Sequence, residues 1–308
     1  MEVDPTCVIF FAFNGPISLC CVFINVFFMF CIFSQKCGTA EVKQPLKILL
    51  LSVALCSALL QASVFKFIAM SQSQTLLSLT IFHIMLKDLV EISMTTTVWL
   101  NVFYFSQIVP AQRAFFVWLK SNIKLFIYCG LVFYWVFLLI NGIFEVFISL
   151  IKAKNTVNST GNGTDPHEYS PHHVISLVGH VIKLLYLFLS LVVMLGSGCA
   201  TVSYLRRHME NMKSSMKSSL ESQLRVTTTG IVQAVFYFMC ATWICISMLH
   251  NDIFKYKFDE NDYIFYSVTS LYSLGTCINL CIGQSLFRQR AVDLWHKVSK
   301  MVQSRRHV

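Results

Sequence analysis

Residues 7–33 read CVIFFAFNGPISLCCVFINVFFMFCIF, a stretch without a single charged side chain. An α-helix rises about 1.5 Å per residue, so about 20 residues cross the roughly 30 Å hydrocarbon core of a bilayer. This stretch is longer than that, and its apolar residues do not alternate with polar ones as they would in a barrel strand. It therefore predicts a membrane-spanning helix, because only helices and closed barrels satisfy their backbone hydrogen bonds in lipid.

Six more apolar runs follow along the chain. Five contain an uncharged core, whereas the run at residues 76–109 carries Lys87, Asp88 and Glu91. Together the runs predict an all-α membrane protein, a seven-transmembrane helix bundle that forms a single domain over residues 1–308. The expected spans are approximately residues 7–33, 46–66, 76–109, 125–151, 180–205, 226–249 and 263–286.

The composition of the whole chain agrees with a lipid environment. Of its 308 residues, 56% are apolar and only 13% are charged, which is about half the charged fraction of a typical soluble domain. This balance excludes an ordinary cytosolic enzyme, and the apolar content excludes a disordered chain.

The positive charges are distributed unevenly along the chain, which has a formal net charge of +9. Most Lys and Arg residues fall in the connections after the first, third and fifth spans and in the C-terminal tail. The positive-inside rule then places the C-terminus in the cytoplasm and the N-terminus outside the cell, in the plasma membrane. We attribute the excess positive charge to this topology and to attraction by the anionic lipids of the inner leaflet, not to nucleic acid.

Two further features fit this orientation. Asn158 and Asn162 begin Asn-x-Ser/Thr sequons in the polar loop 152–179, which the charge pattern places outside, and we expect both to be glycosylated. After the seventh span, apolar residues recur at helical spacing between Arg and Lys residues, which predicts a short amphipathic helix on the inner leaflet. Its apolar positions are Ala291, Leu294, Trp295, Val298 and Val302.

Short motifs of common catalytic sites are missing from the sequence. It has no HExxH, no GxSxG, no zinc-spaced CxxC pair and no phosphate-binding glycine loop, so we expect no catalytic residue, no metal site and no cofactor. The charges within spans concentrate on the third helix, and neither half of the chain repeats the other. This pattern favours a signalling receptor; a membrane transporter or channel, which tends to show repeats or rings of polar residues, is the alternative class.

The third helix and the connection after it resemble a known receptor family. Residues 95–124, TTTVWLNVFYFSQIVPAQRAFFVWLKSNIK, are similar to the signature of the type 2 (bitter) taste receptors, LxVFYxLKIA followed by FLWLKxRI. Residues 46–50, 207–213 and 283–289 are similar to three further motifs of that family. The matching positions in the first stretch are Leu100, Val102, Phe103, Tyr104, Ile108, Phe116, Trp118, Leu119, Lys120 and Ile123.

Several positions depart from the family pattern, so the chain is identified as a divergent member. Ser57 and Ala58 stand where the second helix usually carries Arg, Thr95 replaces a pocket Trp, and Gln107 replaces the third-helix Lys. The resemblance implies a G-protein-coupled receptor for small bitter compounds that signals through a heterotrimeric G protein of the gustducin or inhibitory type. A vomeronasal type 1 pheromone receptor, which shares short loops and outer-loop glycosylation, is the alternative.

Candidate ligand-binding residues lie in the predicted outer halves of three spans. Residues four apart share a helix face, so Glu91, Thr95 and Trp99 form one line on the third helix. Two hypotheses stay open for Glu91: it attracts cationic or hydrogen-bonding compounds above an aromatic floor made by Trp99, or it is paired with Lys87 or Lys183 inside the bundle. The other candidates are His180 and Lys183 on the fifth helix and Tyr266, Thr269 and Ser270 on the seventh.

The short basic connections at the cytoplasmic end are the expected contact for the G-protein alpha subunit. Their Lys and Arg residues would surround any crevice that opens between the helices. The candidate residues are Tyr104, Arg113, Lys120, Arg206, Arg207 and His208.

Overall fold

The computed structural model describes residues 5–34, 44–70, 76–110, 114–158, 171–210, 217–254 and 262–306. Within these ranges the chain is helical apart from short turns, so the expected all-α class is confirmed. The helices in this described part are α1 (Pro5–Phe33), α2 (Leu46–Met70), α3 (Leu76–Ile108), α4 (Ala114–Ser121), α5 (Ile123–Asn158), α6 (Pro171–Glu210), α7 (Lys217–Phe254), α8 (Tyr263–Gly283) and α9 (Ser285–Arg306).

The long helices form a ring of neighbours around α3. α1 packs against α2 and α8, α6 packs against α7, and α7 packs against α8, so the ring closes between α8 and α1. α3 contacts α2, α5, α6 and α7 and therefore lies at the centre of the bundle. α5 and α6 both pack extensively on α3 but share only a short contact with each other.

The placement of polar and apolar side chains is the reverse of that in a soluble protein. Large apolar residues on the outside, among them Phe133, Ile143 and Phe188, are each at least two-thirds exposed. A soluble monomer rarely presents such a continuous apolar surface to water, whereas lipid tails match it. Polar residues of the first two helices are fully buried instead: Asn14, Ser18, Asn25, Ser57 and Gln61.

Six helices among the described residues are long and apolar enough to cross a membrane: α1, α2, α5, α6, α7 and α8. The remaining expected span, α3, is not one of them, since Lys87, Asp88 and Glu91 lie within one turn of each other near its middle. The structure therefore shows a helical membrane bundle with a charged helix at its centre.

Two apolar clusters fill the bundle, one towards each end. The cluster at the end where α1 begins contains Phe10, which stacks on Tyr263 of α8 at a centroid distance of 4.7 Å. The cluster at the opposite end contains Phe28, which stacks on Phe287 of α9 at 4.2 Å. These stacked pairs fix α1 against α8 and α9 at both ends of the bundle.

A seam of hydrogen bonds joins α1 to α2 and α8 between the two clusters. Ser18 Oγ donates to Gln61 Oε1 of α2 at 2.6 Å, and Asn14 Nδ2 donates to Ser267 Oγ of α8 at 2.9 Å. Further along α1, Asn25 Nδ2 donates to Cys277 Sγ at 3.1 Å. Interhelical hydrogen bonds of this kind each contribute roughly 0.6–2 kcal/mol in a membrane, where the hydrophobic effect does not drive helices together.

The last helix, α9, leaves the bundle soon after it begins. Phe287 is buried, and Arg290 Nη2 donates to the backbone oxygen of Ser34 at 3.1 Å. Beyond Arg290, Val292, Leu294 and Met301 are exposed, and Trp295 is 73% exposed. The helix therefore offers an apolar surface that the rest of the described bundle does not cover.

α3 and α5 approach each other closely where a glycine faces a tryptophan. A Cβ atom added to Gly130 of α5 would overlap the indole ring of Trp99 on α3. A small residue at such a crossing lets a side chain of one helix lie directly against the backbone of the other. By contrast, a Cβ atom added to Gly196 of α6 would meet no atom within 4 Å.

We predict opposite outcomes for the same substitution at these two glycines. Gly130→Ala should destabilise the protein by about 1–3 kcal/mol, because the core between α3 and α5 becomes overpacked. Gly196→Ala should be neutral or stabilising by up to ~1 kcal/mol, because alanine favours a helix interior. Thermal melting of the purified protein checks both, and equal stability of the two variants would contradict the close packing of Trp99 on Gly130.

Candidate functional site

A buried ion pair connects α3 to α6 in the half of the bundle where α1 begins. Lys183 Nζ lies 3.3 Å from Glu91 Oε1, and the two side chains are 6% and 3% exposed. The same ammonium group lies 3.8 Å from Glu145 Oε1 on α5, whose side chain is 36% exposed. Lys183 thus forms ion pairs with two carboxylates that belong to two different helices.

Aromatic and hydroxyl groups complete this network. Tyr134 of α5 donates a hydrogen bond from its hydroxyl to Glu91 Oε2 at 3.1 Å. The ring of Tyr134 stacks on Tyr186 of α6 with a centroid distance of 4.3 Å and an interplanar angle of 20°. The hydroxyl of Tyr186 in turn donates to Thr95 Oγ1 at 3.3 Å. The network therefore ties together α3, α5 and α6, and it joins α5 to α6 where these two helices share only a short contact.

Other charged candidates surround the network. Asp88 lies one turn before Glu91 and points at α5, since its Oδ2 atom would be 2.9 Å from a Cβ atom on Gly142. Lys87 and His180 are both half-buried, on α3 and α6 respectively. Among the described residues, no group of three or more His, Cys, Asp or Glu side chains is arranged to hold a metal ion.

Trp99 lies on the predicted face of α3 but does not join Glu91. Its ring packs against Gly130 and lies 5.8 Å from the ring of Phe126 in an edge-on arrangement. It belongs to the apolar cluster at the opposite end of the bundle. Trp99 is therefore a packing residue between α3 and α5 in this structure, two turns away from the ion pair.

The candidates on α8 face other neighbours than the ion pair. Tyr266 is 1% exposed and lies against Phe10 of α1 and the imidazole ring of His83. Ser270 Oγ donates to Gln61 Oε1 of α2 at 3.4 Å, and Thr269 Oγ1 donates to backbone oxygens of its own helix. The structure thus brings Glu91, Thr95 and Lys183 together in one network. The three candidates on α8 contact other residues and do not belong to that network.

Three members of the network were missed by sequence reasoning: Tyr134, Glu145 and Tyr186. Both tyrosines sit in helices that are apolar all round, so the pattern of apolar residues does not reveal which face turns inwards. Glu145 carried the clearer signal, because it is a carboxylate within the expected span 125–151 and such groups are usually paired or functional.

A small cavity of about 40 Å³ lies in the other half of the bundle, between α3, α7 and α8. Its lining is uncharged and rich in amides and hydroxyls. Gln233 Nε2 donates to Thr276 Oγ1 at 2.7 Å, and Asn279 Nδ2 donates to Gln233 Oε1 at 2.8 Å. Gln284 at the end of α8 donates from its side-chain amide to the hydroxyl of Tyr104 on α3, so a polar contact joins these two helices beside the cavity.

The residues expected to face a G protein are distributed around the same end. Lys120 is exposed in the last turn of α4, and Arg206 and Arg207 are exposed near the end of α6. His208 is half-buried and stacks on Tyr204 at 5.8 Å. Of the remaining candidates, Arg113 and the sequon residue Asn162 lie outside the described residues, and Asn158 is the last residue of α5.

Comparison with known families gives a match over almost the whole chain. The model of the family described as taste receptor protein (TAS2R) matches residues 6–299. No curated protein matches the chain. The matched region contains α1 to α8 and most of α9, so it includes both the ion-pair network and the cavity near Tyr104.

We predict that the ion pair is energetically coupled, with unequal effects of its two halves. Lys183→Gln should destabilise the receptor by about 3 kcal/mol, because it leaves Glu91 and Glu145 without their ammonium partner. Glu91→Gln should reduce the stability less, because Lys183 can still form its ion pair with Glu145. The double variant, with two neutral amides, should recover most of the loss.

Thermal melting of the purified variants and their amounts at the cell surface measure this coupling. Gln233→Leu, which removes an amide from the distant cavity, is a control that should add its own cost to either variant. If the losses from Glu91→Gln and Lys183→Gln simply add in the double variant, the two groups are not coupled.

Proposed function

Because the chain belongs to the taste receptor family (TAS2R), we propose that it detects small bitter compounds at the cell surface and signals through a G protein of the gustducin or inhibitory type. The family consists of G-protein-coupled receptors that bind small ligands and catalyse no reaction. The match over residues 6–299 is the observation that carries the proposal, because it includes every helix that would form the ligand site and the G-protein site.

The topology we propose has seven crossings, with α3 as the third. α3 packs against α2, α5, α6 and α7, and these helices would shield its charged residues from lipid, while Lys183 neutralises Glu91. An odd number of crossings places the two termini on opposite sides, and the positive-inside rule then puts the N-terminus and the sequons of Asn158 and Asn162 outside. It also places α9 at the inner leaflet, where its exposed apolar side chains would insert between headgroups.

The ligand site we propose lies in the outer half of the bundle, at the network between α3, α5 and α6. Glu91 would supply negative charge and Thr95 a hydroxyl group. Lys183, the partner of Glu91, would move aside towards Glu145 when a cationic ligand binds. His180 lies one turn from Lys183 towards the outer end of α6 and would form part of the rim. The α8 candidates would not contact the ligand but would stabilise the packing of α8 in the bundle. They are Tyr266, Thr269 and Ser270, and each is buried against α1, α2 or its own helix.

The G-protein site we propose lies at the opposite end, where the Tyr104–Gln284 hydrogen bond joins α3 to the end of α8 beside the cavity between α3, α7 and α8. The exposed Lys120, Arg206 and Arg207 surround that end. A shift of α7 or α8 that opens the cavity would create a polar crevice with a cationic rim, which suits a G-protein alpha subunit. The ligand would drive this shift by binding the open form more tightly than the closed form.

The family match does not favour the other functions considered. A vomeronasal type 1 receptor and a membrane transporter or channel belong to families other than the one that matches residues 6–299. We therefore retain the taste receptor alone.

Cells that express the receptor with chimeric G proteins test this function directly. We expect calcium responses to a panel of bitter compounds when the chimera carries a gustducin or inhibitory tail, and none when it carries a stimulatory tail. Glu91→Gln should reduce the potency of cationic agonists by about 10- to 100-fold, because hydrogen bonds to a charged group contribute roughly 1.5–3 kcal/mol, and should leave neutral agonists unchanged.

Asp293→Asn on the exposed α9 is the matched control, since it removes the same charge outside the bundle. An equal loss for cationic and neutral agonists in Glu91→Gln would reject the charge role of Glu91. An ion current or solute flux that persists without any G protein would reject the receptor function.

A further inference from the structure

The geometry around Glu91 points to a binding site for an organic ammonium ion, which we propose is filled by the receptor's own Lys183 when no ligand is bound. The agonist class follows from this, since an ammonium ligand would compete with Lys183 for Glu91. That last step rests on the proposed ligand-binding function, whereas the existence of the site does not.

Lys183 is placed between two carboxylates that differ in their surroundings. Its Nζ atom is 3.3 Å from Glu91 Oε1, on a side chain that is 3% exposed, and 3.8 Å from Glu145 Oε1, on a side chain that is 36% exposed. Because both distances are short, the ammonium group leaves Glu91 for Glu145 by a small rotation of its flexible stem.

The charges favour the entry of one more cation. Two carboxylates share a single ammonium group, so these three side chains together carry a net charge of −1. If a ligand ammonium pairs with Glu91 while Lys183 pairs with Glu145, each of these two carboxylates has its own partner. Asp88, a third carboxyl group, also lies within electrostatic range of Lys183, Glu91 and Glu145.

The groups around Glu91 are fixed in the manner of a preformed site. The Tyr134 hydroxyl donates to Glu91 Oε2 at 3.1 Å and so holds Oε1 towards Lys183. The stacked rings of Tyr134 and Tyr186 lie on the same side of α3, and aromatic faces attract organic cations. Such a site fits a primary or quaternary ammonium with a short apolar substituent, which would replace the lysine stem.

The gap between α5 and α6 offers a route for this exchange. These two helices share only a short contact, and the partly exposed carboxylate of Glu145 on α5 meets Lys183 of α6 between them. Apolar amines concentrate at membrane surfaces, so they would meet Glu145 before they meet Glu91.

Chemical rescue of a lysine deletion tests the site without any signalling assay. Lys183→Ala removes three methylenes and the ammonium group, which n-propylammonium restores as a free molecule. In the full-length receptor in lipid nanodiscs, n-propylammonium chloride should raise the Tm of Lys183→Ala in a saturable manner by about 2 °C or more. n-Propanol, or sodium chloride at equal ionic strength, should not.

The double variant Lys183→Ala/Glu91→Gln is the matched control and should show no rescue. Equal rescue by n-propanol, rescue that persists in the double variant, or no rescue at all would overturn the proposal. If rescue succeeds but cells respond to no bitter compound, the ammonium site stands and the proposed receptor function fails.

The wild-type receptor provides a second measurement that needs no substitution. Benzyltrimethylammonium should displace Lys183 towards the half-exposed Glu145 and so speed the acylation of Lys183 by an amine-reactive ester, read by mass spectrometry. Its uncharged carbon analogue, neopentylbenzene, should have no such effect. Unchanged acylation at saturating benzyltrimethylammonium, with Lys66 as the internal reference, would contradict displacement of the lysine.

Discussion

A charged group in hydrocarbon has to find its partner within the protein, because lipid supplies neither water nor counterions. Glu91 meets this constraint through Lys183 and the hydroxyl of Tyr134, which reach it from α6 and α5. This requirement places the charged middle of α3 in the centre of the bundle and turns that face of α3 towards two other helices. The same constraint makes the site chemically distinctive, since the groups that secure the fold are also the groups that a cationic ligand would engage.

Packing elsewhere in the bundle follows from the lack of a hydrophobic driving force between helices in lipid. Close approach at Gly130 allows α5 to receive the ring of Trp99, and the buried hydrogen bonds from Ser18 and Asn25 fix α1 against α2 and α8. At the opposite end, Tyr104 and Gln284 join α3 to the end of α8. The receptor thus has polar contacts to α3 both at the ion pair near its middle and at its last turns.

The sequence predicted six of the seven expected spans in agreement with the structure, because length and apolarity identify a helix that can cross a bilayer. It located the family signature at residues 95–124 and the charged turn of α3 for the same reason, since both are local patterns. It did not reveal that Glu91 meets Tyr134, or that Trp99 packs at Gly130 while Ser270 turns to α2, because a helix that is apolar all round carries no periodic signal of which face is inside. The bond between Tyr104 and Gln284 joins residues that are far apart in the chain, so no local pattern predicts it.

The central claim is that α3 crosses the membrane despite its charges, which makes the number of crossings odd. Epitope tags at the two ends of the chain test it, with antibody binding compared between intact and permeabilised cells. We predict that the N-terminal tag is stained on intact cells and that the C-terminal tag is stained only after permeabilisation. Staining of both tags on intact cells, or of neither, would mean an even number of crossings and would remove α3 from the membrane.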